Sequence, residues 1–102
     1  MRIKRGITIP YEYQLRSSDG SAINLTAATS VTMVLTEDGA ETPVINGACI
    51  ISDPITSGKI VYKWDASQTG TPGFYWLKFI IEWNNGKLEE VPSNGFDYIL
   101  IL

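Results

Sequence analysis

Apolar and polar residues alternate along much of the chain with a period of two, the spacing of side chains on the two faces of a β-strand. Three segments show this alternation clearly. Their apolar positions are Tyr11, Tyr13 and Leu15, then Val31, Met33 and Leu35, then Ile60, Tyr62 and Trp64. Each segment therefore predicts a half-buried strand with one face on a core and the other in water.

The longest alternating run, Gly73 to Trp83, predicts a central strand. Its odd positions are all apolar, namely Tyr75, Leu77, Phe79, Ile81 and Trp83. Its even positions mix three apolar residues with two charged ones, namely Phe74, Trp76, Lys78, Ile80 and Glu82. We therefore expect the odd face to form core. The last run, Phe96 to Leu102, is apolar on both faces and predicts a second central or covered strand.

Turn signals separate these runs. They are Ser18-Asp19-Gly20, Glu37-Asp38-Gly39, Asn46-Gly47, Asn84-Asn85-Gly86 and Ser93-Asn94-Gly95. The strongest hairpin signal is Asn85-Gly86, because both residues tolerate the positive φ of a tight turn. The prolines all lie at edges of predicted strands, at Pro10, Pro43, Pro54, Pro72 and Pro92. The segment from Asp65 to Thr69 predicts one helical turn, capped by Asp65.

Short strands separated by turn signals at such regular spacing predict a sandwich or a barrel. Tyr75 favours an immunoglobulin-like sandwich, because a tyrosine corner places its Tyr at the start of such a strand. Its hydroxyl then bonds to main chain a few residues upstream. We predict an all-β, immunoglobulin-like antiparallel β-sandwich of about 7–9 strands. A single domain is expected over residues 1–102, with residues 1–6 an arm or a first edge strand.

Composition removes most catalytic chemistry. The chain has no histidine and one cysteine, which argues against a zinc site, an internal disulfide and a histidine-assisted nucleophile. Cys49 lies in an apolar run and is predicted to be a small buried hydrophobe. Glu89 and Glu90 are adjacent on a predicted strand, so they point to opposite faces.

Three further carboxylates, Asp53, Asp65 and Asp97, are far apart in sequence. They could form a calcium site or a glycosidase pair only if the fold brought them together. The simpler interpretation is a turn residue, a helix cap and a solvated strand residue. We predict no enzyme, no metal and no cofactor.

The surfaces are therefore expected to carry the function. A formal charge of −3 argues against nucleic-acid binding, and no apolar run is long enough to cross a membrane. No signal peptide is predicted, because no apolar stretch follows the basic start. Partner-binding candidates are the basic residues Arg2, Lys4 and Arg5 and the even-face residues Phe74, Trp76 and Ile80. An alternative is a carbohydrate-binding or adhesin-type module with an exposed Trp platform flanked by polar side chains.

Four motifs occur in order along the chain: LTAATSVTM from Leu25 to Met33, GKIVY from Gly58 to Tyr62, TGTPGFY from Thr69 to Tyr75, and PSNGF from Pro92 to Phe96. In this order and spacing they resemble the N-terminal domain of phage baseplate upper proteins and related small tail-associated proteins. The resemblance covers residues 7–102. Ala27 departs from it, since the family prefers glycine there.

This resemblance implies an immunoglobulin-like fold and a structural role in a virion tail, with synthesis in the host cytoplasm. In the family, the domain is a docking module that ties receptor-binding proteins to the baseplate. The implied partners are other tail or baseplate proteins, with the chain a homo-oligomer in the assembled virion. The family's helical and receptor-protein-binding parts have no counterpart after Leu102. We therefore expect an excised domain or a small stand-alone relative, and the docking partner is not carried over.

Overall fold

The computed structural model describes residues 2–6, 8–65, 68–92 and 97–102. Within these ranges the chain forms nine strands: β1 (Arg2–Ile3), β2 (Tyr11–Gln14), β3 (Ala28–Glu37), β4 (Ile45–Ala48), β5 (Ile50–Ile51), β6 (Lys59–Tyr62), β7 (Gly73–Trp83), β8 (Leu88–Val91) and β9 (Asp97–Ile101). One 3₁₀ turn, Ile55–Ser57, was not expected from the sequence. None of the described residues forms a helix with the length and apolar character that a membrane span requires.

The larger sheet is built around β7. Its strand order is β1-β9-β7-β3-β4, and β8 also pairs with β7. β3 runs along one edge of β7, whereas β9 and β8 pair with successive parts of the other edge. The predictions that the Gly73 to Trp83 run and the last run form central strands are confirmed. Phe96, the first residue predicted for the last strand, lies outside the described residues.

The smaller sheet has the order β2-β6-β5 and packs against the larger one. Its inner face contributes Tyr11, Ile60 and Tyr62 to a core that also contains the odd positions of β7. The chain passes from the larger sheet to the smaller one at Cys49, between β4 and β5. The Cα radius of gyration is 13.5 Å, close to the ~13 Å of a compact domain of about 100 residues. The predicted all-β class is therefore confirmed.

Three of the predicted turns contain a glycine with positive φ: Gly20, Gly39 and Gly86. At the β7–β8 hairpin, the Gly86 amide donates to the Trp83 carbonyl oxygen, and the Trp83 amide donates to Lys87. All five prolines lie outside the strands, as expected. The predicted turn at residues 93–95, and residues 66 and 67 of the predicted helical turn, lie outside the described residues.

The predicted turn at Asn46-Gly47 is wrong, because both residues lie inside β4 and pair with β3. Gly47 is needed there for a close approach. A Cβ added to it would lie 2.6 Å from both Cε1 and the hydroxyl oxygen of Tyr62, whose ring comes from the opposite sheet. The glycine therefore leaves space for a core ring between the two sheets.

We expect Gly47→Ala to lower the free energy of unfolding by about 1–3 kcal/mol, because the new methyl overpacks the core against Tyr62. Urea unfolding followed by tryptophan fluorescence measures the loss. Asn46→Ala is the matched control, since Asn46 is an exposed neighbour on the same strand. Combining Gly47→Ala with Tyr62→Leu should cost less than the sum of the two single losses. Full stability of Gly47→Ala would contradict the close approach.

Candidate docking face

The outer face of the larger sheet carries a cluster of aromatic and apolar side chains. Strand register places Phe74 beside Leu100, and Trp76 beside Tyr98. Paired residues project to the same side of a sheet. This side is opposite the core, because Tyr75 and Ile99, which alternate with these residues, are buried. We call the four residues Phe74, Trp76, Tyr98 and Leu100 the outer aromatic face.

The rings of this face pack on one another. Phe74 and Tyr98 are stacked, with centroids 5.3 Å apart and planes 8° from parallel. Phe74 and Trp76 meet edge to face, with centroids 4.9 Å apart. Trp76 is nevertheless 37% exposed and Tyr98 is 43% exposed. The smaller sheet packs on the opposite side of β7, so these rings present surface to solvent. Their contacts with one another hold them in place.

A hydrogen bond fixes the orientation of Trp76. Its indole Nε1 donates to Asp38 Oδ1 at 2.9 Å, and the Asp38 amide donates to the Phe74 carbonyl oxygen. Asp38 therefore continues the β3 side of the sheet next to the outer aromatic face. A groove of about 580 Å³ begins at Trp76. Its lining residues are Val34, Thr36, Ala40, Glu41, Pro43, Asn46, Trp76, Lys78 and Ile80.

Ile80, the third predicted even-face residue, lies in this groove rather than in the aromatic cluster. It is partly buried and pairs with Thr32 and Glu90 on the neighbouring strands. Glu90 accepts a hydrogen bond from Lys78 Nζ at 3.1 Å. The even face of β7 therefore has two halves. One half is aromatic, and the other holds Ile80 beside the Lys78–Glu90 ion pair.

The structure brings Arg2 to the outer aromatic face. β1 pairs in parallel with β9, and Arg2 lies opposite Leu100. Of residues 1–6, for which an arm or a first edge strand was expected, Arg2–Ile3 form the edge strand β1 of the larger sheet. Lys4 and Arg5 follow it as exposed residues beyond the strand. Arg2 and Phe74, separated by some 70 positions in sequence, therefore lie in one row of the sheet with Leu100 between them.

Sequence reasoning missed Tyr98, Leu100 and Asp38. Tyr98 and Leu100 could have been identified as outer-face candidates from the sequence. The run from Phe96 to Leu102 is apolar on both faces, and only one face can meet the core. Asp38 was assigned only to a turn. Its contact with Trp76 depends on the pairing of β3 with β7, which no local pattern reveals.

The predicted carboxylate candidates do not assemble into a metal site. Among the described residues, no three side chains of histidine, cysteine, aspartate or glutamate come together. Glu89 accepts a hydrogen bond from Trp83 Nε1 at 3.3 Å, whereas Glu90 pairs with Lys78 on the outer face. Asp53 is exposed. The interpretation of Asp97 as a solvated strand residue is wrong, because its Oδ2 accepts a hydrogen bond from the Tyr13 hydroxyl across the two sheets, at 2.8 Å.

The thiol of Cys49 has the environment expected for a small packed hydrophobe. It is half-buried against the core at the crossover between the sheets. Burial raises its pKa to about 12, so the thiol stays protonated near neutral pH and is a poor nucleophile.

Comparison with known protein families, with curated proteins and with solved structures finds no match for this chain.

Alkaline unfolding should report the Tyr13–Asp97 contact. Burial, and then the hydrogen bond to Asp97, raise the pKa of Tyr13 to about 12, against about 10 in an unfolded chain. The folded state therefore holds this proton more tightly. Its contribution to stability is complete below pH ~10 and is lost as the pH rises through about 12.

The free energy of unfolding of the parent should fall between pH ~9.5 and ~12, and in Tyr13→Phe we expect this fall to be about 1 kcal/mol smaller. The difference is modest because Tyr13 is only half-buried and water screens part of the effect. Urea unfolding at stepped pH measures it. Ile50→Ser, at an exposed position of the smaller sheet that has no titratable group, is the control and should keep the parental slope. Equal slopes for parent and Tyr13→Phe would contradict the assignment.

Proposed function

We propose that this chain is a non-enzymatic structural module of a phage tail or baseplate that acts through protein–protein contacts. The outer aromatic face carries the proposal. Three rings and Leu100 form a contiguous surface patch beside a basic edge residue. Aromatic residues held in place by their neighbours are the side chains that contribute most to protein interfaces, and clustered exposed apolar residues mark such sites.

The same proposal includes an immunoglobulin-like sandwich. Two packed sheets support it, and so does Tyr75, which is buried and donates from its hydroxyl to the Thr71 carbonyl oxygen at 2.9 Å. This is the contact that a tyrosine corner makes. The motif segments also coincide with structural elements: GKIVY spans β6 with its preceding glycine, and TGTPGFY leads into β7. Both observations agree with the resemblance to the N-terminal domain of baseplate upper proteins.

The partners in this proposal are other tail or baseplate proteins, among them a receptor-binding protein, and further copies of the chain in the assembled virion. The outer face suits such contacts because its rings need little further ordering when a partner arrives. Phe74 is already flanked by Tyr98 and Trp76, and Trp76 is held by Asp38. Preorganisation of this kind reduces the entropic cost of association.

Replacement of Trp76 by alanine should weaken binding to neighbouring tail proteins at least tenfold, because truncation of a central interface ring removes buried area and leaves a gap. Calorimetric titration against each co-encoded tail protein measures the change. Ile50→Ser is the matched control, since Ile50 is 51% exposed on the smaller sheet. Unchanged binding by Trp76→Ala, or an equal loss in Ile50→Ser, would overturn the proposed face.

A carbohydrate-binding module is the second candidate, and the exposure of Trp76 favours it. Trp64 is only 6% exposed, whereas Trp76 is 37% exposed. Thr36 and Lys78 line the groove beside Trp76, and Asp38 holds its indole. A glycan array distinguishes the candidates: signal from the parent that disappears in Trp76→Ala supports the sugar module, and an empty array supports docking to protein.

A further inference from the structure

We propose that the outer aromatic face pairs with the same face of a second copy of this chain, about a two-fold axis that runs parallel to the strands between β7 and β9. The inference rests on the proposed function, since it names the partner of the docking face. The proposal follows from the order of side chains across the four neighbouring strands β1, β9, β7 and β3.

One row across the sheet is self-complementary. From β1 to the end of β3 it reads Arg2, Leu100, Phe74 and Asp38, which is a cation, two apolar residues and an anion. Rotation about an axis midway along this row exchanges its two halves. Leu100 then lies over Phe74 of the second copy, and Arg2 lies over its Asp38. A two-fold interface needs this reciprocity, in which each contact occurs twice.

The next row obeys the same symmetry. Tyr98 and Trp76 are paired across β9 and β7, so the same axis places each of them over the other in the second copy. The two rows together bring four aromatic and apolar side chains of each copy into a shared centre. Two Arg–Asp contacts border this centre. The arrangement matches the common anatomy of interfaces, with an apolar middle and a polar rim.

Charge distribution also favours this pairing. Arg2, Lys4 and Arg5 are exposed at the β1 edge, and Arg2 has no ion pair in the part of the chain that the structure describes. On the opposite side of the face lie Asp38 and Glu41, the latter in the loop that borders the groove. The proposed rotation brings this acidic side to the basic edge of the second copy, where the sheet ends and leaves space for the loop.

The expected size of the contact sets its strength. Four strands at ~4.8 Å spacing and about four rows of side chains at ~6.8 Å cover roughly 520 Å² per copy. The total of about 1,000 Å² lies just below the range of stable complexes. We therefore expect a reversible dimer that forms at micromolar or higher concentration, and one that tail assembly would reinforce by holding copies close together.

Reciprocal charge reversal tests the pairing. Sedimentation velocity over a concentration series should show a monomer–dimer equilibrium for the parent. Arg2→Asp and Asp38→Arg should each raise the dimer dissociation constant about tenfold or more, because each creates two like-charge contacts. The double variant R2D/D38R should recover most of the affinity that either single variant loses, short of the Asp38–Trp76 hydrogen bond that it still lacks. Glu12→Arg, on the outer side of the smaller sheet, is the control and should leave the dimer unchanged.

Recovery in the double variant separates the interface from a structural effect. Loss of the Asp38–Trp76 hydrogen bond by itself would not be repaired by a change at Arg2, which lies three strands away within one chain. A second measurement uses cysteine pairs in a Cys49→Ser background. Mixing R2C chains with D38C chains should give an oxidised covalent dimer, whereas neither variant alone should cross-link efficiently.

A parent that stays monomeric at the highest concentration would overturn the proposal, as would a double variant as weak as the single ones. If that monomer still bound tail proteins in a Trp76-dependent way, the docking function would stand and only the second copy would be excluded. If neither dimer nor tail-protein binding were found, both proposals would fail.

Discussion

The pairing of β7 with β3 is the constraint on which the rest of this structure depends. It is the longest ladder of the molecule and runs from Ala28 opposite Trp83 to Glu37 opposite Tyr75. Because side chains alternate along a strand, this one ladder assigns the odd positions of β7 to the core and the even positions to the outside. A slip of one residue would exchange the two sets and bury Lys78 and Glu82 in place of Leu77 and Ile81.

The candidate docking face is a consequence of how β7 is shared. β9 occupies the first half of one edge of β7 and β8 the second half. The β9 half supplies Tyr98 and Leu100 beside aromatic β7 residues, whereas the β8 half supplies Glu90, which pairs with Lys78. The break between these two strands therefore divides the outer face into an apolar half and a charged half. The docking function is proposed for the apolar half, where the rings order one another.

The two sheets are joined by contacts of different physical kinds. Most of the core is aliphatic and aromatic packing. For example, the ring centroids of Phe79 and Tyr13 lie 4.8 Å apart. The Tyr13 hydroxyl also donates to Asp97, a polar bond between the sheets. At Gly47 the approach is so close that only a residue without a side chain fits against Tyr62. These contacts set the separation and alignment of the sheets, which area burial alone does not specify.

The sequence by itself determined the all-β class and the buried face of β7, because both depend on local alternation of apolar and polar residues. It also determined most of the turns of the chain, because these depend on residues that tolerate positive φ. It misassigned Asn46-Gly47 as a turn and Asp97 as a solvated residue, because a close approach and a cross-sheet hydrogen bond are made by residues distant in sequence. Phe74, Trp76 and Arg2 were identifiable as candidates. Only the tertiary structure decided that they adjoin, since strand pairing between the two chain ends brings Arg2, Leu100 and Phe74 into one row.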